Sequence, residues 1–251
     1  MSFTDKVVVI TGGGQGIGRA YALAFGSRGA AIVIADTNLA AATAVAEEVK
    51  AAGGKAIAVA TDVSDEASTR AMADAAKAAF GSIDILINNA AVFSTLTLKG
   101  FEEISVEEWD RMFAVNTRGV FLCAKAVAPI MKQNRYGKII NMSSVVVDTG
   151  RPGYAHYVCS KGAVVALTRV LATELGPFDI NVNAISPHGI ATEVPRKTIT
   201  EDQWAGVIAS QAIRKKGGVE DMIGIALFLA SDDSHYISGQ IIGLNAGAHY
   251  N

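Results

Sequence analysis

Only two cysteines, Cys123 and Cys159, occur in 251 residues. Two thiols cannot form a disulfide framework and are wrongly supplied for a zinc site, so no metal is expected and a reducing compartment is. Excess charge of one sign is missing too: 22 Lys and Arg face 24 Asp and Glu, a formal net charge of −2 with the basic residues scattered. That balance lacks the electrostatic footprint of a nucleic-acid binder and the polybasic patch that anionic membranes attract. No uninterrupted apolar run reaches the roughly 18 residues of a membrane span. The opening MSFTDKVVVI has no charged region, apolar stretch and cleavage site of a secretory leader. These absences point to a cytoplasmic chain whose partner is a small-molecule substrate, not nucleic acid or membrane. What is abundant is core material: half the residues are hydrophobic (50%) and 25 are glycine. Length alone allows one domain or two, and no compositional seam favours two. Residues 1–251 are therefore read as one domain.

Short β-branched runs alternate with longer Ala-rich stretches. KVVVIT is followed by a helix from Ile17 to about Arg28, AAIVIAD by a helix through Glu48, and KAIAVATD by a helix over 66 to 80. IDILINNA, a helical stretch from Val106 towards Gln133, GKIINMSS, a helix carrying Tyr157, INVNAIS, a helix near 220 to 230 and GQIIGLN complete the series. The strands are nearly all apolar, as in a parallel sheet covered on both faces. The expected fold class is α/β: a single doubly wound parallel sheet with helices on both faces, a Rossmann-like three-layer sandwich. Its ligand-binding loops lie at the carboxyl ends of the strands. Residues 190 to 215 break the rhythm with polar helix formers and Trp204. They are read as a small lid over the active site, a plain surface excursion being the alternative.

Gly12, Gly16 and Gly18 fall between the first strand and the first helix, together with Gln15 and Ile17. Free backbone N–H groups and the positive helix end can hold a pyrophosphate there. Asp36 closes the second strand eighteen residues beyond Gly18, where a carboxylate can accept both hydroxyls of an adenosine ribose. A 2′-phosphate would meet like-charge repulsion, and position 37 is Thr, so the cofactor is expected to be NAD rather than NADP. Asp62 and Val63, closing the third strand, are candidates to bracket the adenine. Tyr157 and Lys161, four residues apart, share one helical face.

With these motifs in order, the chain resembles the short-chain dehydrogenase/reductase family over essentially its whole length. Thr11-Gly12-xxx-Gly16-x-Gly18 resembles the family's cofactor loop, and NNAA at Asn88 to Ala91 its NNAG element, which brings Asn89 and Ala90 to the cofactor. Asn116, Ser144, Tyr157 and Lys161 resemble its catalytic tetrad. Ser143 competes with Ser144, and the thirteen-residue interval to Tyr157 matches the family at 144. A free phenol has a pKa near 10, and a neighbouring ammonium favours its ionised form. The resemblance implies Tyr157 as acid/base, Lys161 as its activator and ribose ligand, Ser144 as hydrogen-bond partner of the substrate oxygen, and Asn116 as holder of a water linking Lys161 to solvent. It also implies a homotetramer. In SPHGIAT, Pro187 and Thr192 keep the family's spacing, but His188 replaces the usual glycine and Gly189 comes one place late. If that loop still caps the nicotinamide, Pro187, Gly189, Ile190 and Thr192 belong to the cofactor site, with His188 bordering the substrate.

The expected activity is an NAD-dependent interconversion of a hydrophobic secondary alcohol and its ketone. VVVDTGRPGY, Phe93, Ser94 and, in the lid, Val194, Ile199 and Trp204 are the segments expected to face substrate. Arg151 has two readings, a carboxylate ligand or half of a surface ion pair. Two rival functions remain: a 3-oxoacyl-[acyl-carrier-protein] reductase, and a nucleotide-sensing regulator without chemistry.

Overall fold

A computed structural model describes residues 1–195 and 198–250. The all-apolar VVVI run becomes strand β1 (Val7–Thr11), buried at every position, which requires cover on both faces. Strand and helix then alternate as α1 (Gly16–Gly26), β2 (Ala31–Asp36), α2 (Leu39–Ala51), β3 (Lys55–Ala60), α3 (Glu66–Phe80) and β4 (Ile85–Asn88). Helix α4 (Val106–Phe113) runs through a π-helical turn, Ala114–Arg118, into α5 (Gly119–Asn134). After β5 (Gly137–Met142) come a short α6 (Val146–Thr149), the long α7 (Ala155–Leu175) and β6 (Ile180–Pro187). The chain finishes with β7 (Ile190–Ala191), α8 (Glu201–Ala209), β8 (Gly217–Gly218), α9 (Val219–Ala230) and β9 (Ile241–Leu244).

Seven strands form one parallel sheet in the order β3-β2-β1-β4-β5-β6-β9. Successive residues of a strand face opposite sides. Val8 and Ile10 accordingly pack under α1, α2 and α9, while Val7 and Val9 pack under α3 and α5. Strand order reverses between β1 and β4, so the crevice beyond Thr11 and Asn88 is the switch point at which such sheets bind ligands. The stretch Val106–Asn134 is long and apolar enough by composition to cross a membrane. Its Cys123, Val127 and Met131 are fully buried against the sheet, so it packs here as a core helix.

Local signals set several boundaries. The Asp65 carboxylate accepts the N–H groups of Ala67 and Ser68 at 3.2 Å and starts α3, and Gly81, at φ +80°, ends it. The excursion expected to form a lid has a base that the sequence did not reveal: β7 and β8 pair in parallel, Ile190 with Gly217 and Ala191 with Gly218, and close it on itself. Residues 196 and 197 of the expected lid lie outside the described residues.

Candidate active site

The turn after β1 is shaped by Gly12 at φ +62° and Gly16 at φ +58°, conformations that L side chains rarely adopt. Gly18 acts from behind: a Cβ there would stand 2.1 Å from the Gly12 carbonyl oxygen, so only glycine lets α1 approach the turn. The turn is tied to β4. Asn89 donates through Nδ2 to the carbonyls of Thr11 and Gly12 at 3.0 Å, and the Thr11 hydroxyl accepts the N–H groups of Asn89 and Ala90 at 3.1 Å. Gly16, the first residue of α1, gives its N–H to Glu193 Oε1 at 2.8 Å, so a carboxylate from the lid sits where the helix end attracts anions.

At the end of β2, Asp36 accepts the N–H of Gly14 at 3.0 Å through one oxygen and that of Asn38 at 2.9 Å through the other. At the end of β3, Asp62 accepts both the hydroxyl and the N–H of Ser64, and these bonds hold its carboxyl below the usual carboxylate range. Both carboxylates line one cavity of about 520 Å³ with Gln15, Gly16, Ile17, Val63 and Ala90. The far end of the same cavity is bounded by Ser144, Tyr157, Lys161 and His188.

Tyr157 stands in the first turn of α7 and Lys161 one turn further on, with the Lys161 Nζ 5.8 Å from the Tyr157 ring centroid. The ammonium donates to the Met142 carbonyl at 2.7 Å, and burial pushes its pKa down to about 8. A positive charge held this close favours the ionised phenol. Ser143 spends its hydroxyl on the Lys161 carbonyl at 3.4 Å, whereas the Ser144 hydroxyl is approached, among the described residues, only by the Val146 N–H at 3.5 Å. That difference favours Ser144 as the hydroxyl that meets a substrate oxygen. Phe93 packs on Tyr157 with centroids 4.9 Å apart, and Tyr154 meets it edge-on at 5.7 Å.

This geometry is accompanied by a likeness that spans the chain. The family model described as enoyl-(acyl carrier protein) reductase matches residues 12–249. An uncharacterized oxidoreductase of Methylorubrum extorquens is 40% identical over 245 residues, 96% of this chain and 97% of its own. The chain is a short-chain dehydrogenase/reductase. This oxidoreductase superposes with TM-score 0.93, at 32% identity, on a 7α-hydroxysteroid dehydrogenase complexed with NADH and 7-oxo glycochenodeoxycholic acid, covering 100% of this chain and 97% of the other. It also superposes with TM-score 0.90, at 35% identity, on the 3-ketoacyl-(acyl-carrier-protein) reductase from Brucella melitensis complexed with NADH, covering 98% and 99%.

Three residues singled out in the sequence of this dehydrogenase/reductase do not line the cavity. The Asn116 side chain does not line the cavity: its Oδ1 accepts the Val92 N–H at 2.7 Å and its Nδ2 lies 3.3 Å from the Ser160 hydroxyl. Fully buried in the π-helical turn, its carboxamide ties the loop after β4 to α7. Gly18 supports the cofactor turn without bordering the cavity. Trp204 also lies off the cavity. It is 6% exposed, and a Cβ on Gly189 would meet its ring at 3.0 Å, so it seats α8 on the loop after β6. Val194 and Ile199 do line the cavity, as do Pro187, Gly189, Ile190 and Thr192. Val207 and Thr198 line it unforeseen, and the buried Thr198 hydroxyl has no hydrogen-bond partner among the described residues. No periodicity marks such lid positions, because their direction is set by the β7–β8 base.

Proposed function

We propose that the chain is a cytoplasmic NAD-dependent oxidoreductase that interconverts a hydrophobic secondary alcohol and its ketone. The observation that carries this reading is one continuous cavity with the glycine cradle and Asp36 at one end and Ser144, Tyr157 and Lys161 at the other. The cradle fits a dinucleotide: Gly12 and Gly16 keep its floor free of side chains, and the Gly16 N–H already holds an anion. NAD, when bound, supplies the site that accepts or returns the hydride. In alcohol oxidation the Tyr157 Oη takes the hydroxyl proton, and in ketone reduction it gives that proton back. Ser144 donates to the substrate oxygen and stabilises its negative charge. Lys161, when protonated, places positive charge beside the phenol.

Asp36 supports NAD over NADP, since its carboxylate and Thr37 line the adenosine end of the cavity. Of the lining cations, Arg111 lies towards Asp62, whose carboxyl it helps to hold down, while Arg151 lies beside His188. Val146, Phe93, Ile199 and Val207 support an apolar substrate body. The likeness to the Brucella melitensis reductase favours one rival, reduction of a carrier-bound 3-oxoacyl chain. The test is NAD+ reduction, read by absorbance, across a panel of cyclic, aromatic and medium-chain secondary alcohols, repeated with NADP+ and with a 3-oxoacyl thioester and NADH. Turnover of free alcohols with NAD+ supports the proposal; turnover of the thioester alone, or preference for NADP+, overturns it. Exposed Trp109, Phe121 and Val170 on α4, α5 and α7 support burial in a homotetramer, which light scattering would read as four chains.

A further inference from the structure

The cavity is electrically polarised. Its carboxylates, Asp36 and Asp62, lie at the ends of β2 and β3, whereas its substrate end carries Arg151 beside His188. Every ion pair among the described residues leaves Arg151 out, and no hydrogen bond among them uses its guanidinium, so the surface ion-pair reading of this residue has no partner. What the guanidinium does touch is a ring: its Cζ stands 5.6 Å from the centroid of Tyr154, a side chain 2% exposed that itself packs edge-on against Tyr157. The cation is therefore two ring contacts from the acid/base.

Its backbone is pinned as well. Gly150, at φ +59°, closes α6 and donates its N–H to the Val146 carbonyl at 3.0 Å. Pro152 restricts Arg151 to extended conformations, and the carbonyl of Gly153, at φ +94°, accepts the Lys99 N–H at 2.9 Å. The Arg151 guanidinium, at the cavity wall, offers five N–H donors and no acceptor to a ligand held there. His188 adds no second fixed charge, because burial and the nearby Arg151 push its imidazole below the ordinary histidine range. On the lid side, Thr198 presents a buried hydroxyl to the same cavity without a partner among the described residues. Apolar walls, an Arg151 guanidinium outside every ion pair among the described residues and an unused hydroxyl together describe a ligand that is apolar in body and anionic at one end.

We propose that the substrate is an apolar secondary alcohol or ketone bearing a carboxylate, and that Arg151 binds that carboxylate. This rests on the dehydrogenase reading above and names its substrate class. Planar, bidentate recognition is what a guanidinium provides and an ammonium does not.

The test uses two matched pairs with NADH: 4-oxocyclohexanecarboxylate and 4-acetylbenzoate, each beside its methyl ester. The wild-type enzyme is expected to prefer the acids in kcat/KM, and Arg151→Met to lower the acid-to-ester ratio by about 30- to 100-fold, mainly through KM. Arg151→Lys should recover only part of that ratio. Equal or better use of the esters by the wild-type enzyme, or an unchanged ratio in Arg151→Met, overturns the proposal. Calorimetric titration with 4-ethylbenzoate, which has no ketone to reduce, reads the subsite without turnover. Binding at least about 10-fold weaker in Arg151→Met supports it, and equal binding overturns it. Arginine-dependent 4-ethylbenzoate binding combined with no turnover of any ketone or alcohol would retain the anion site and reject the dehydrogenase reading instead.

Discussion

Lys161→Met exchanges a buried ammonium for an uncharged side chain of similar length and changes how stability depends on pH. Lys161 is 3% exposed, and burial pushes its pKa from 10.5 down to about 8. Between those values the unfolded chain holds a proton that the folded chain has released, so the folded state gains stability as pH rises through this window. Well below the folded value both states are protonated and the contribution is flat at its least favourable. Integration from about pH 7 to about pH 10 gives the wild-type protein a gain of about 2 to 3 kcal/mol from this group, with a slope approaching about 1.4 kcal/mol per pH unit in mid-window. The variant lacks that gain. Tyr21, Tyr136 and Cys123, all pushed upward by burial, are common to both proteins and cancel in the difference. Urea unfolding of the two cofactor-free proteins across this pH range measures it. The wild-type advantage over the variant should grow by about 2 to 3 kcal/mol, and a difference that stays constant would refute a desolvated ammonium beside Tyr157.

Three further substitutions probe the cofactor end. Asp36→Asn keeps an acceptor for the Gly14 N–H and removes the charge, so the ratio of kcat/KM for NAD+ over NADP+ should fall about 10- to 100-fold, and an unchanged ratio would free Asp36 of its discriminating role. Glu193→Gln removes the anion held by the Gly16 N–H, and fluorescence titration should then show NADH binding about 5-fold tighter at low salt; weaker binding would mean that the carboxylate assists the cofactor. Gly18→Ala places a methyl 2.1 Å from the Gly12 carbonyl oxygen and should lower the free energy of unfolding by about 3 kcal/mol or more, whereas a loss under about 1 kcal/mol would show that α1 can retreat from the turn.

The parallel sheet was legible because burial on both faces leaves apolar runs with no alternation, as in VVVIT and GKIINM. Helix α3 was legible at both ends, since Asp65 and Gly81 carry the chemistry of starting and stopping a helix. The closeness of Tyr157 and Lys161 could be read because they are one turn apart on α7, a local relation fixed by helix geometry. Tertiary relations could not. The π-helical turn at Asn116 has no local signature, and the commitment of its carboxamide depends on where the loop after β4 and α7 meet it. Trp204 packs by Gly189 and does not line the cavity, a relation that depends on how the loop after β6 meets α8 and not on any local pattern. Glu193, one residue after Thr192, contacts the N-terminus of α1 from 177 residues away, which no local pattern encodes.

The most direct test of the central claim is single-turnover reduction of a ketone by Tyr157→Phe, with NADH affinity measured on the same preparation. The proton donor is lost while the ring that packs at 4.9 Å on Phe93 is kept, so NADH should bind within about 3-fold of wild type while the rate falls by about 1,000-fold or more. A variant that binds NADH normally and retains more than about a tenth of the wild-type rate would contradict the assignment of Tyr157 as the acid/base.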